Sequence, residues 1–199
     1  MTRPFVLGLT GSIGMGKSTT ARMFADEGIP VWDADAAVAR LYDSGGAAVP
    51  VIGALRPQAV IDGRVDRAAL KAWIASDPAA LGRIEKAVHP LVAADRAAFL
   101  ATAAAPIVLL DIPLLYEIGA DAMADAVVVV SAPPDIQRDR VLSRPGMTVD
   151  QFDTILARQM PDAEKRARAD YVIATTGLED ARSGVQSVLE DVKRKLSHA

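Results

Sequence analysis

The sequence contains no cysteine, which excludes disulfides, thiol nucleophiles and cysteine-ligated zinc or iron–sulfur centres. Its only histidines are His89 and His198, which excludes a histidine-rich metal site as well. No stretch approaches the ~20 apolar residues needed to cross a bilayer. The first apolar run, FVLGL, is too short for a signal-peptide core and leads into glycines, so a cytoplasmic protein with no membrane partner is expected. A formal net charge of −3 argues against a broad nucleic-acid surface and leaves room only for a local basic patch. Internal repeats and low-complexity linkers are also missing.

What is present has the balance of a globular chain, with 51% hydrophobic and 24% charged residues over 199 positions. That length suffices for one well-buried core with a helical insertion. Alanine supplies much of the hydrophobic fraction and favours helices packed outside a sheet. Short β-rich runs alternate with longer helical patterns. Phe5–Thr10, Ile29–Trp32, Ile107–Asp111, Ala126–Ser131 and Tyr171–Ala174 read as strands, and Lys17–Glu27 as a helix ended by Gly28. Almost wholly apolar runs such as AVVVVS suit a parallel sheet covered on both faces. The expected fold is α/β and doubly wound, with about five parallel strands between helical layers.

From Asp35 to Ala105 no convincing strand is found. Asp66–Ala75 and Pro78–Ala103 read as helices, the second a candidate for a break at Pro90. So long a helical excursion exceeds what a crossover needs, and it reads as an insertion that covers a substrate. A second excursion, Pro133–Arg168, is interrupted by Pro145 and Gly146, after which Thr148 and Gln151 fit a capping box. The chain is expected to be one domain: a core of about 1–34, 105–132 and 169–199, an insertion of about 35–104, and a lid of about 133–168.

The most specific local signal is Gly11-Ser12-Ile13-Gly14-Met15-Gly16-Lys17-Ser18, which satisfies G-x-x-x-x-G-K-[ST] between an apolar strand and a helix. Glycines allow successive N–H groups to point inward at phosphate oxygens, and the following helix N-terminus adds its dipole. Lys17 is placed to reach the β- and γ-phosphates, and the Ser18 hydroxyl to ligate Mg²⁺. A dinucleotide fingerprint, G-x-G-x-x-G, does not occur here. This is a nucleoside-triphosphate site.

Carboxylates follow two strands. In VWDADAAVARLY, Asp33 and Asp35 stand at the carboxyl end of a strand, where open α/β folds bind ligands. Either can accept or orient the proton of an acceptor hydroxyl. Alternate positions point different ways, so the two are not expected to share one role. Asp33 suits a helix cap equally well. Asp111, after the strand in PIVLLDIPLLYE, sits where a Walker-B acid would hold Mg²⁺, a context that a structural aspartate also fits. Arg140 and Arg144 lie one helical turn apart, either on a solvated face or on a mobile lid that brings a cation to the transferring phosphoryl group. His89 reads as a helix-end histidine before a proline, and Trp32 and Trp73 as packing residues.

Taken in order, GLTGSIGMGKST, VWDADAAVARLY, IDGRVDRAAL, RIEKAVHPLV, LLDIPLLYE, DIQRDRVLSR and ADYVI resemble the dephospho-CoA kinase family over nearly the whole chain. The resemblance implies a P-loop kinase of the nucleoside-monophosphate-kinase type. It implies transfer of the γ-phosphoryl group of ATP, with Mg²⁺, to the ribose 3′-hydroxyl of dephospho-CoA. It also implies that Gly11 and Gly14, Met15, Gly16, Lys17, Ser18 and Thr19 hold the ATP phosphates. Asp35 then matches the catalytic carboxylate and Arg140 the lid arginine, while Thr10 and Leu114 match substrate-side positions.

Where many relatives of that family carry asparagine near the adenine, this chain has Ala174-Thr175-Thr176-Gly177, which leaves backbone groups to hold the base. The family's usual FG in the insertion is replaced within IGALRP. A shikimate-type kinase, which would carry a triple-glycine turn where DIPLLYE stands, is the nearest rival. An ATP-driven switch protein is the rival from another class. It would turn over slowly whatever the acceptor.

Overall fold

The computed structural model describes residues 3–198. In chain order the elements are β1 (Phe5–Thr10), α1 (Lys17–Asp26), β2 (Val31–Asp33), α2 (Ala34–Tyr42), α3 (Ala48–Leu55), β3 (Val60–Ile61), β4 (Arg64–Val65), α4 (Arg67–Ser76), α5 (Ala80–Thr102), β5 (Ile107–Asp111), β6 (Ala126–Ser131), α6 (Pro134–Leu142), α7 (Val149–Leu156), α8 (Asp162–Arg168), β7 (Tyr171–Ala174) and α9 (Leu178–Ser197). They fall into two compact units, Met1–Val31 with Ala104–Ala199, and Trp32–Ala103.

The five-stranded sheet has the order β2-β5-β1-β6-β7, in which β1 pairs in parallel with β5 and β6, and β6 with β7. Placing β1 centrally puts the loop that follows it at the carboxyl ends of its neighbours. On one face Leu7, Leu9, Leu109, Val128 and Ile173 pack under α1 and α9 through Phe24, Val185 and Leu189. Each such leucine, wholly removed from water, contributes about 2 kcal/mol. On the other face the chain after β5 comes so close that a Cβ on Gly8 would meet Leu115 Cδ1 at 2.8 Å and Ala124 Cβ at 3.1 Å. Helix α1 ends by a Schellman turn, with Ile29 N–H on Phe24 O at 3.1 Å and Gly28 N–H on Ala25 O at 2.9 Å. Gly28 adopts φ +80° there, which is why a glycine closes this helix.

The second unit has its own core of Leu41, Ile52, Leu70, Trp73, Ile84 and Val88. It departs from the sequence expectation at α3, which overlaps a stretch read as a loop, and at three further points. β3 and β4 form a short antiparallel hairpin around Asp62 (φ +49°) and Gly63 (φ +74°). Two-residue strands are too short to show periodicity, and the Asp-Gly pair was their only signal. Helix α5 runs unbroken through Pro90; both Pro90 and Lys86, whose carbonyl loses its N–H partner, are exposed, where solvent can replace the missing bond. His89 is consequently an exposed mid-helix residue and not a helix-end one. Trp32 and Trp73 are both buried, and Trp32 Nε1–H donates to Asp95 Oδ1 at 2.7 Å.

Candidate active site

The chain leaves β1 at Thr10 and turns at once into the loop 11–16. Gly11 is obligatory there, since a Cβ would lie 2.4 Å from Val130 Cγ2 and 2.9 Å from Val130 O. Gly14 and Gly16 have φ of +80° and +84°, which folds the loop over the start of α1. The first intrahelical hydrogen bond is Thr20 N–H to Gly16 O at 3.1 Å. The amides of Lys17, Ser18 and Thr19 therefore precede the helical ladder and face out of its positive end. Met15 is only 2% exposed. Its amide donates to Ser12 O at 3.1 Å, its sulfur accepts from Ala132 N–H, and its carbonyl accepts from Thr175 Oγ1 at 2.8 Å. Ser12 Oγ is buried with no protein partner among the described residues, an orphan that an arriving phosphate oxygen would satisfy.

Lys17 Nζ lies 2.6 Å from Asp111 Oδ1. Asp111 closes β5 and is 2% exposed, so this pair is held in a largely dry setting. Ser18 and Thr19 are exposed at the start of α1. The structure thus gathers Lys17, Ser18 and Asp111 around one helix terminus.

Beside the loop is a cavity of about 390 Å³ lined by Gly14, Gly16, Thr19, Arg140, Arg144, Thr175 and Gly177. Arg140 Nη2 donates to Thr175 O at 2.6 Å, while Nη1 is buried without a partner among the described residues. Thr175 turns its hydroxyl inward to Met15 O and Ser131 O, and Thr176 Oγ1 is hydrogen-bonded to the Asp180 carboxylate. The cavity wall at this point is therefore backbone and guanidinium. Arg144 is exposed at the cavity edge.

Thr10 is wholly buried, and its hydroxyl donates to Pro113 O at 2.9 Å, tying the end of β1 to the chain after β5. Leu114, next along, is 41% exposed. In the second unit, Asp33 Oδ1 accepts Ala36 N–H at 2.9 Å and caps α2, so the capping alternative describes its geometry. Asp35 stands exposed in the first turn of that helix.

Gln137 and Glu117 lie within stretches that carried the family resemblance but had no role read for them, and Gln159 and Lys165 gave no signal in the sequence. Gln137 and Gln159 both bond the Ile13 peptide, and Lys165, wholly buried, lies 2.7 Å from Glu117 Oε1. Burial works to raise the Glu117 carboxyl, but Lys165 and the Met160 N–H hold it below the ordinary carboxylate value.

The family model described as dephospho-CoA kinase matches residues 5–180. A dephospho-CoA kinase of Cereibacter sphaeroides is 64% identical over 96% of this chain and 97% of its own length. One from Ruegeria pomeroyi is 57% identical over 98% and 99%. Among solved structures, the Thermus thermophilus protein TT1252 is 36% identical with a TM-score of 0.84, over 96% of this chain and 98% of its own.

Proposed function

The chain belongs to the dephospho-CoA kinase family, and we propose that its phosphate loop, Asp111 and the Arg140 cavity form the nucleotide half of that reaction. The enzyme phosphorylates the ribose 3′-hydroxyl of dephospho-CoA at the expense of ATP, giving coenzyme A and ADP. The observation that carries the site assignment is the gathering of Lys17, Asp111 and the α1 amides at one helix terminus.

In this reading the amides of Gly14 and of Gly16 to Thr19 face the triphosphate, and Lys17 neutralises the β- and γ-oxygens. Asp111, 2.6 Å from the ammonium, holds Lys17 at the helix terminus where those oxygens would arrive. Arg140 and Arg144 border the nucleoside, and the segment 133–168 acts as a lid that excludes water. Asp35 accepts or orients the 3′-hydroxyl proton, while Asp33 shapes the helix that presents it. Thr10 supports the site from beneath, through Pro113, and Leu114 offers an apolar contact to the acceptor. Transfer is direct, from the γ-phosphorus to the acceptor oxygen, with no covalent enzyme intermediate.

Magnesium fits this donor set. The Ser18 hydroxyl and the Asp111 carboxylate are hard oxygen ligands, and the described residues contain no group of three or more His, Cys, Asp or Glu side chains suited to a protein cage. A nucleotide-borne Mg²⁺ would need only these few contacts, and when bound it neutralises phosphate charge. The water-borne substrates support action in the cytoplasm, and no helix among the described residues is long and apolar enough to cross a membrane.

The test is ADP release from MgATP with dephospho-CoA, AMP or shikimate as acceptor, with the product identified by mass. Turnover only with dephospho-CoA, lost in Lys17→Ala, is the expected result. Activity unchanged by Lys17→Ala would remove the cradle assignment.

A further inference from the structure

Ile13 sits at the crest of the phosphate loop, between Ser12 and the left-handed Gly14. Both polar atoms of its peptide group are taken by glutamine side chains. Its N–H donates to Gln159 Oε1 at 2.9 Å, and its carbonyl accepts from Gln137 Nε2 at 2.7 Å. The two glutamines come from different elements of the segment 133–168. Gln137 lies on α6 and is 5% exposed; Gln159 follows α7.

Each is itself held firmly. A Cβ on Gly14 would meet Gln137 O at 2.9 Å and Val141 Cγ2 at 2.5 Å, so α6 rests directly on the loop. Beyond Gln159, Met160 N–H donates to Glu117 Oε1 at 2.9 Å, and that same oxygen faces the buried Lys165 ammonium. Arg168 lies over the Tyr116 ring at 4.4 Å, so the chain after α7 is fastened to the loop after β5 at two points.

We propose that Gln159 is a positioning residue for phosphoryl transfer, acting with Gln137 to clamp the Ile13 peptide and so fix which loop amides face the triphosphate. A loop free at Ile13 would lose its shape at the crest, because Gly14 beside it has the widest backbone freedom. With the Ile13 N–H committed to Gln159, the inward donors are those of Gly14 and of Gly16 onward. The clamp also couples the loop to segment 133–168, so that movement of that segment and the shape of the cradle are not independent. This rests on the reading of residues 11–19 as the triphosphate cradle.

Gln159→Met keeps length and removes the acceptor, and Gln137→Met removes the donor. Gln159→Met is expected to raise KM for ATP about five- to tenfold, the worth of one neutral hydrogen bond, with KM for dephospho-CoA unchanged. The double variant should lose less than the product of the single losses, since both act on one peptide. A purely structural role would instead lower Tm with KM for ATP unmoved, and that result overturns the proposal, as does a change confined to dephospho-CoA. The wild-type enzyme supplies a readout that needs no variant. The Ile13 amide should resist hydrogen exchange both alone and with MgADP, and fast exchange in the MgADP complex refutes the clamp. Lys17→Ala separates the two layers: if it abolishes ATP use while Gln159→Met does nothing, only the clamp fails.

Discussion

Lys165→Met isolates a buried charge without opening a large hole. The lysine is wholly buried and its ammonium lies 2.7 Å from a Glu117 carboxylate whose side chain is 16% exposed. Methionine fills most of the aliphatic volume, so the loss is chiefly electrostatic. Breaking a buried pair by removing one partner costs about 3–5 kcal/mol. Here the Met160 N–H still serves Glu117 and some water reaches the carboxylate, which lowers the expected cost to about 2–3 kcal/mol. For a chain of this size that is a fall in Tm of about 5–10 °C.

The pH dependence supplies the sharper test. In the wild type the folded Glu117 carboxyl is held below its unfolded value, so its contribution is present above the unfolded pKa and is lost as pH falls through the folded one. Without Lys165 the burial that opposes ionisation dominates, and the folded carboxyl shifts upward instead. A raised carboxyl stabilises fully below the unfolded value and destabilises as pH rises through the folded value. The deficit of Lys165→Met relative to wild type should therefore be largest near neutrality and shrink towards about pH 4. Urea unfolding of both proteins across that range measures it. Glu117→Gln combined with Lys165→Met should recover most of the loss, because no unpaired charge is left. A deficit that is flat with pH, or that grows on acidification, refutes the reasoning.

Other perturbations separate scaffold from chemistry. Lys17→Ala should reduce kcat/KM for ATP by about 10²–10³-fold, read as ADP release at saturating dephospho-CoA. Asp35→Asn should cut kcat while leaving ATP binding intact, measured by calorimetry with a non-hydrolysable analogue; a change in acceptor KM alone would replace proton transfer by positioning. Asp33→Ala should instead cost about 1 kcal/mol in unfolding free energy through the lost α2 cap, with a smaller effect on kcat than Asp35→Asn. Gly14→Ala meets both the Val141 contact and a left-handed backbone, so ATP binding should be lost in a chain whose circular dichroism remains that of a folded protein.

Much of this protein is written in short-range patterns. Apolar runs buried on both faces, the glycine spacing of residues 11–16, Gly28 at a helix end and the Thr148–Gln151 capping box all act within a few residues, so the sequence alone determines them. The family resemblance, with the activity that belongs to it, was equally legible, because its motifs run in order along the chain. The structure added what depends on residues far apart. It placed Lys17 on Asp111, turned Thr175 into the core against Met15, buried Thr10 under Pro113 and kept α5 whole through Pro90. The clamp on Ile13 and the Lys165–Glu117 pair belong to the same class. Lys165 and Gln159 are ordinary surface residue types by composition and lie outside every motif, and even Gln137, inside one, shows no partner in its neighbours along the chain. Only when tertiary packing excludes water does an unpaired polar group become costly enough to select its one distant partner.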